Sequence, residues 1–184
     1  MTGVTFTVDL DDLAPRAALA RAVAGARDMT PLMQDIGEVL VSGARERIGQ
    51  TNETPEGVPW PKSLRAQLGG ERETEDGELS TQHSGPTLFR TGRLLESIIP
   101  EPEAHQVKVG SNLHYAGVHQ TGMTITPKAG KALSFTLANG ESAVVGSVTI
   151  PARPYLGVSD DERADITEIT TLYFNDLLQG DFGA

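Results

Sequence analysis

An α+β fold is predicted by three features of the sequence. Apolar residues recur at three- and four-residue spacing near the start, Val, Leu and Phe alternate with polar residues in the middle, and a capped amphipathic stretch stands near the end. Helical and strand periods occupy separate blocks, so the strands are expected to pair antiparallel, with the helices gathered on one face. The expected architecture is N-terminal helices, a small antiparallel sheet with a long arm, and a C-terminal amphipathic helix packed on the sheet. A chain of 184 residues suits a single domain over 1–184, since domains cluster at roughly 100–150 residues.

The elements follow in order. Val4, Phe6 and Val8 alternate as an edge strand would, and the Ala-rich residues 13–26 predict a helix. After a break at 28–31, Thr30 reads as an N-cap with Pro31 at the first helical position. Leu32, Ile36, Val39, Leu40, Gly43, Ala44 and Ile48 then mark one helical face. From 49 to 87 the apolar period vanishes among Gly, Pro, Thr and Glu, which predicts a long flexible arm or loop; it holds Trp60, the single Trp, between Pro59 and Pro61.

Beyond the arm, Thr91 reads as the cap of a short helix over 91–98, with Leu94 and Ile98 one turn apart. Val107 and Val109 begin the strands. Leu133, Phe135 and Leu137 run into Asn139-Gly140, a dipeptide that accepts the positive φ of a tight hairpin, and the return strand spans 144–150. Ser159-Asp160-Asp161-Glu162 has the pattern of a capping box, with acids placed to complement the helix dipole. Ile166, Ile169, Tyr173 and Leu177 continue it as a stripe that Leu172 and Leu178 widen and Gly180 ends.

Charge and composition remove several function classes. Twenty-five acids against fifteen Lys and Arg give a net charge of -10, which argues against a protein that grips nucleic acid by neutralising its phosphates. The acid is concentrated after residue 150, where the balance is -5. With no Cys, disulfides, thiolate zinc sites and thiol nucleophiles are ruled out. The first residues lack a basic and apolar leader, and no run approaches the ~18 apolar residues of a membrane span. A soluble protein made in a cytoplasm, without a membrane partner, is expected.

No constellation reads as catalytic. Of the four histidines, His83, His105, His114 and His119, only the last two are close, and their spacing of five misses the i, i+4 geometry of a helical zinc motif. No metal and no cofactor are expected. The G-x-S-x-G elbow, the P-loop and the dinucleotide fingerprint are absent, and the acids of 160–176 read as a solvated face.

More distinctive is Tyr115-Ala-Gly-Val-His119-Gln-Thr-Gly122, in which Tyr115 and His119 share a helical face and Gly122 stops the turn. The second distinctive run is Ile150-Pro-Ala-Arg153-Pro-Tyr155-Leu-Gly157. Its prolines stiffen the chain around Arg153, whose guanidinium suits a bidentate carboxylate within the chain or across an interface. Trp60 has two readings, a residue folded onto its own core or an anchor for a partner. Trp60, Tyr115, His119, Arg153 and Tyr155 are the interface candidates.

Taken together, PEGVPWPKSL, LFRTGRLLESI, VKVGSNLHYAGVHQTG and IPARPYLGVSDDERADI resemble, in order, the blocks of the phage virion morphogenesis family, whose members are called tail completion proteins. Where members commonly carry a Lys/Thr-rich run between the first two blocks, this chain has GGERETEDGE. The resemblance implies a structural role without catalysis, late in tail or neck assembly where head joins tail. It further implies a homo-oligomeric ring, often a hexamer among related proteins, contact with tail-tube, terminator and connector proteins, DNA only as passing cargo, and residence in the virion after assembly in the host cytoplasm. Two other classes stay open: a hydrolase using His119 with an acidic partner, and an assembly chaperone absent from the finished particle.

Overall fold

The computed structural model describes residues 12–63, 72–73, 79–80, 85–137 and 142–179. The element order is α1 (Leu13–Arg27), α2 (Thr30–Glu46), a π-helical turn (Arg47–Thr51), β1 (Arg72–Glu73), β2 (Leu79–Ser80) and α3 (Arg93–Glu96). It continues with β3 (Ile98–Glu103), β4 (Gln106–Ser111), α4 (Ala116–Thr121), β5 (Met123–Ile125), β6 (Leu133–Thr136), β7 (Ser142–Val145), β8 (Val148–Ile150) and α5 (Asp160–Gln179). The fold is α+β, as the patterning predicts. The expected strand at 4–8, the Asn139-Gly140 turn and Gly180 lie outside the described residues.

Helix α2 is the central support. Leu32, Gly37, Val41 and Ala44 are buried along it, at the three- to five-residue steps that keep one face turned inward. Its first turn is held from outside: the Asp28 carboxylate accepts from both the N–H and the hydroxyl of Thr30, at 3.0 and 2.6 Å. Thr30 is therefore the first helical residue and not the cap: Met29 holds the cap position without a side-chain bond, and Asp28, two residues before Thr30, receives the Thr30 amide, one of the orphan donors of the first turn.

On one side of α2 lies the β3–β4 hairpin, paired from Ile98↔Ser111 to Glu103↔Gln106. Here the expected helix over 91–98 is shortened. Gly92, at φ +77°, begins it, and Ile98 opens β3 because its backbone pairs with Ser111. Leu94 and Ile98 are nonetheless both buried, as their spacing suggested.

Among the described residues the strands form four two-stranded pairs instead of one sheet. The expected return strand over 144–150 divides into β7, which pairs with β6, and β8, which pairs with β5. The result is a nested hairpin arm.

Helix α5 meets α1 and α2, whereas the β3–β4 hairpin is covered by α2; the expectation that α5 lies on the sheet is corrected in that respect. The physical reason is a close helix–helix fit. A Cβ on Gly25 would lie 2.5 Å from the Leu177 methyls, the Tyr173 hydroxyl donates to Gly25 O at 3.2 Å, and Arg21 donates to the carbonyls of Leu177 and Leu178. The α5 capping box forms as the sequence predicts. Ser159 N donates to Glu162 Oε2 at 2.7 Å and Glu162 N to Ser159 Oγ at 3.2 Å.

The core is Val41, Ala44, Ile48, Trp60, Leu94, Ile98, Ala116 and Tyr155, all buried. It joins the end of α2, the loop after it, α3, the foot of β3, α4 and the segment before α5. Three of the four sequence blocks noted above contribute Trp60, Leu94 and Tyr155, and the VKVGSNLHYAGVHQTG block contributes Ala116.

Candidate functional site

The proline-rich segment 151–157 is the centre of a lock built from distant parts of the chain. Its extended backbone presents carbonyls and amides that no strand pairs, and each neighbouring element supplies a side chain or a backbone group to satisfy them. Trp60 Nε1 donates to Pro154 O at 3.1 Å, and Arg153 Nε returns a bond to Pro61 O at 2.8 Å. The two segments are thereby bolted together in both directions.

From α4, Gln120 makes three bonds. Its Oε1 accepts from the amides of Tyr155 and Leu156, both at 3.1 Å, while its Nε2 donates to Leu156 O at 2.9 Å. The Tyr155 hydroxyl donates to Ala116 O at 3.2 Å, and Arg153 N to His119 O at 2.7 Å. Gly122 permits this closeness. It has φ +73°, and a Cβ there would stand 2.8 Å from Ala152 N, so both the backbone conformation and the space require glycine.

Arg47, at the end of α2, completes the lock from below. Its Nε donates to Tyr155 O at 2.9 Å, and its Nη1 lies 3.0 Å from Glu162 Oε1 in an ion pair with both side chains buried. The contact to Oε1 is coulombic without hydrogen-bond alignment. Gly43, one turn earlier, leaves the room for that carboxylate: a Cβ there would be 1.6 Å from Glu162 Oε1.

Of the interface candidates, Trp60, Arg153 and Tyr155 are buried in the chain's own interior. Trp60 takes the first of its two readings. It is placed by a compact turn in which Trp60 N donates to Asn52 O at 2.8 Å and Gly57 N to Thr54 O at 2.9 Å. The stretch 49–63 of the expected flexible arm is thus packed against the core, because burying an indole outweighs the ordering of a short loop.

Among the described residues Arg153 donates to a carbonyl, Pro61 O, and the buried ion pair of the region is that of Arg47 with Glu162. Burial lowers the Arg153 pKa and raises that of Tyr155, the latter helped by nearby Tyr115. His119 is half-buried, with its ring edge-on to Tyr115 at 6.0 Å between centroids. Burial and then the Arg153 charge lower its pKa, and its buried Nδ1 has no hydrogen-bond partner among the described residues. Tyr115 is the exposed member of the five.

Sequence reasoning missed Arg47, Gln120 and the second role of Glu162. Gln120 stood inside a quoted block, but its three partners lie 35 or 36 residues away, so no local spacing reveals them. Among the described residues no group of three His, Cys, Asp or Glu is placed to hold a metal ion, and no helix is long and apolar enough to cross a membrane.

Two surfaces stand outside the lock. A groove of about 770 Å³ between α2, the 51–57 turn and the start of α5 is lined by Glu46, Glu53, Glu56, Asp160, Asp161 and Asp165, with the Arg47–Glu162 pair also in its lining. The nested arm of β5, β6, β7 and β8 exposes Met123, Ile125 and Val144, the last to 68%.

A segment of 95 residues is 34% identical to Mu-like prophage FluMu G protein 2 of Haemophilus influenzae, covering 52% of this chain and 56% of that protein. The chain therefore spans little more than half the length of that curated relative. No solved structure matches. The family model described as phage virion morphogenesis family matches residues 10–175, which takes in the whole lock together with α1, α2 and most of α5. On that match the chain belongs to the phage virion morphogenesis family.

Proposed function

We propose that the protein acts in tail completion at the neck, where head and tail join, and that it works by self-association into a ring and by contact with tail-tube, terminator and connector proteins. Its role is structural, with no bond made or broken, and DNA passes it as cargo.

The observation that carries this reading is where the chemistry of the motif residues goes. Trp60, Gln120, Arg153 and Tyr155 direct polar groups at backbone of the same chain, so they build a rigid scaffold. Apolar side chains are left outward on α1, α5 and the strand arm. A scaffold with exposed apolar surface suits docking, since patches of that kind mark interaction sites.

The test is a phage in which synthesis of this chain is blocked. Heads and tails that accumulate separately, joined again when the chain is supplied, are the expected result. Normal particles in its absence would overturn the proposal, as would turnover of a substrate by the purified chain that His119→Ala abolishes while leaving assembly intact.

A further inference from the structure

Helix α1 has no buried residue. Its inner side, Ala18, Ala22 and Gly25, is half-buried, while the opposite side leaves Leu19 64% and Val23 49% exposed. Around these two, Arg16, Ala20, Ala24 and Arg27 complete a shallow depression. In a chain of net charge -10, α1 carries three Arg and no acid. It is an apolar helix face with a cation at each end, and no other element among the described residues covers it.

A matching face lies on α5. Asp165, Glu168, Leu172 and Asp176 are all exposed, Leu172 to 54%. Both stripes step through i, i+3, i+7 and i+11: Arg16, Leu19, Val23, Arg27 on one helix and Asp165, Glu168, Leu172, Asp176 on the other. Eleven residues of helix rise about 16 Å, so the two Arg of one stripe are spaced like the two terminal Asp of the other. On α1 the centre between the charged ends is apolar, Leu19 and Val23, and on α5 it is Leu172 beside Glu168. Within one chain both stripes are solvent-exposed, so they do not satisfy each other there.

We infer that the outer face of α1 docks on the acidic outer face of α5 of a second copy of this chain. The contact is heterologous, so repetition carries it around a ring or along a filament. Arg16 now pairs with Asp12 of its own first turn at 2.6 Å, both groups being solvent-exposed; an exposed pair of this type is weakly held and open to exchange. The inference rests on the self-association proposed above and names its surface.

The test is the molar mass of the purified full chain by sedimentation equilibrium over a concentration series in low salt. Two charge-reversed forms, Arg16→Glu with Arg27→Glu and Asp165→Arg with Asp176→Arg, are run beside it, with folding checked by circular dichroism. Wild type is expected to associate, less so at higher salt, where screening shortens the reach of surface charge. Each double variant alone is expected to raise the dissociation constant about tenfold or more, because like charges then face each other. An equimolar mixture of the two is expected to associate again, since opposite charges meet across each contact.

Wild type that associates while both variants associate equally well overturns this surface and leaves self-association standing. Wild type that stays monomeric throughout overturns both. Val23→Asp tests the apolar centre without touching the four charged positions, and association unchanged by it also counts against the inference.

Discussion

Arg47 and Glu162 meet at 3.0 Å with both side chains buried, although one stands at the end of α2 and the other in the first turn of α5. Glu162 closes the α5 capping box with one oxygen and faces the guanidinium with the other, so helix initiation and tertiary docking use a single carboxylate. Arg47 likewise bonds Tyr155 O. The pair ties the start of α5, the lock and the end of α2 together.

Removing the cation alone strands a buried carboxylate. Arg47→Met is therefore expected to cost about 3–5 kcal/mol, measured by urea denaturation. Combined with Glu162→Gln, which keeps a capping acceptor, it should cost clearly less than the sum of the two single changes. Additive losses would show that the pair is not coupled.

Gly43→Ala places a methyl group on the Glu162 carboxylate, 1.6 Å from its Oε1. Alanine is intrinsically the better helix former by about 1 kcal/mol, so a helix without this contact would be stabilised. A loss of stability is expected instead, and a raised melting temperature would contradict the geometry.

Trp60 is the single Trp and buried to 6% exposure. Its fluorescence should be blue-shifted and poorly quenched by acrylamide in the native state, moving to the red on unfolding. Trp60→Ala is expected to destabilise by about 3–5 kcal/mol, followed by far-UV circular dichroism. Emission already typical of water in the native protein would place the indole outside the core.

Gln120→Ala leaves the amides of Tyr155 and Leu156 without their shared acceptor. At about 1–3 kcal/mol for each unsatisfied group, the loss should exceed that of Gln120→Glu, which retains an acceptor for both amides. Equal stability of the Ala variant and the wild type would mean that these bonds contribute nothing.

His119 supplies a pH dependence. Its pKa is lowered in the folded chain by burial and by Arg153, so the unfolded chain binds the proton more readily and stability rises with pH across this window. The contribution is complete above the ordinary histidine pKa of about 6.5 and is lost as the pH falls through the lower, folded value. His119→Gln should flatten the fall in melting temperature below neutrality. The depressed carboxyls of Asp28, Glu56 and Glu103 act in a more acidic window and leave that comparison clear.

Local order determined what was readable from the chain alone. The helical face of α2, the Ser159–Glu162 box, the Gly122 stop and the alternation at Val107 and Val109 are short-range patterns, dictated by backbone sterics and by hydrogen bonds a few residues apart, and each stands in the structure. The blocks that carried the family resemblance were visible for the same reason.

Tertiary structure alone decided how those blocks are used. Trp60 to Pro154, Arg153 to Pro61, Gln120 to Tyr155 and Arg47 to Glu162 are contacts between residues 35 to 115 positions apart. Their partners are mostly backbone carbonyls and amides, which every residue carries and no sequence pattern marks. Which carbonyl a buried guanidinium or indole finds depends on how the helices and the proline-rich segment come together in space, and only the folded chain shows that.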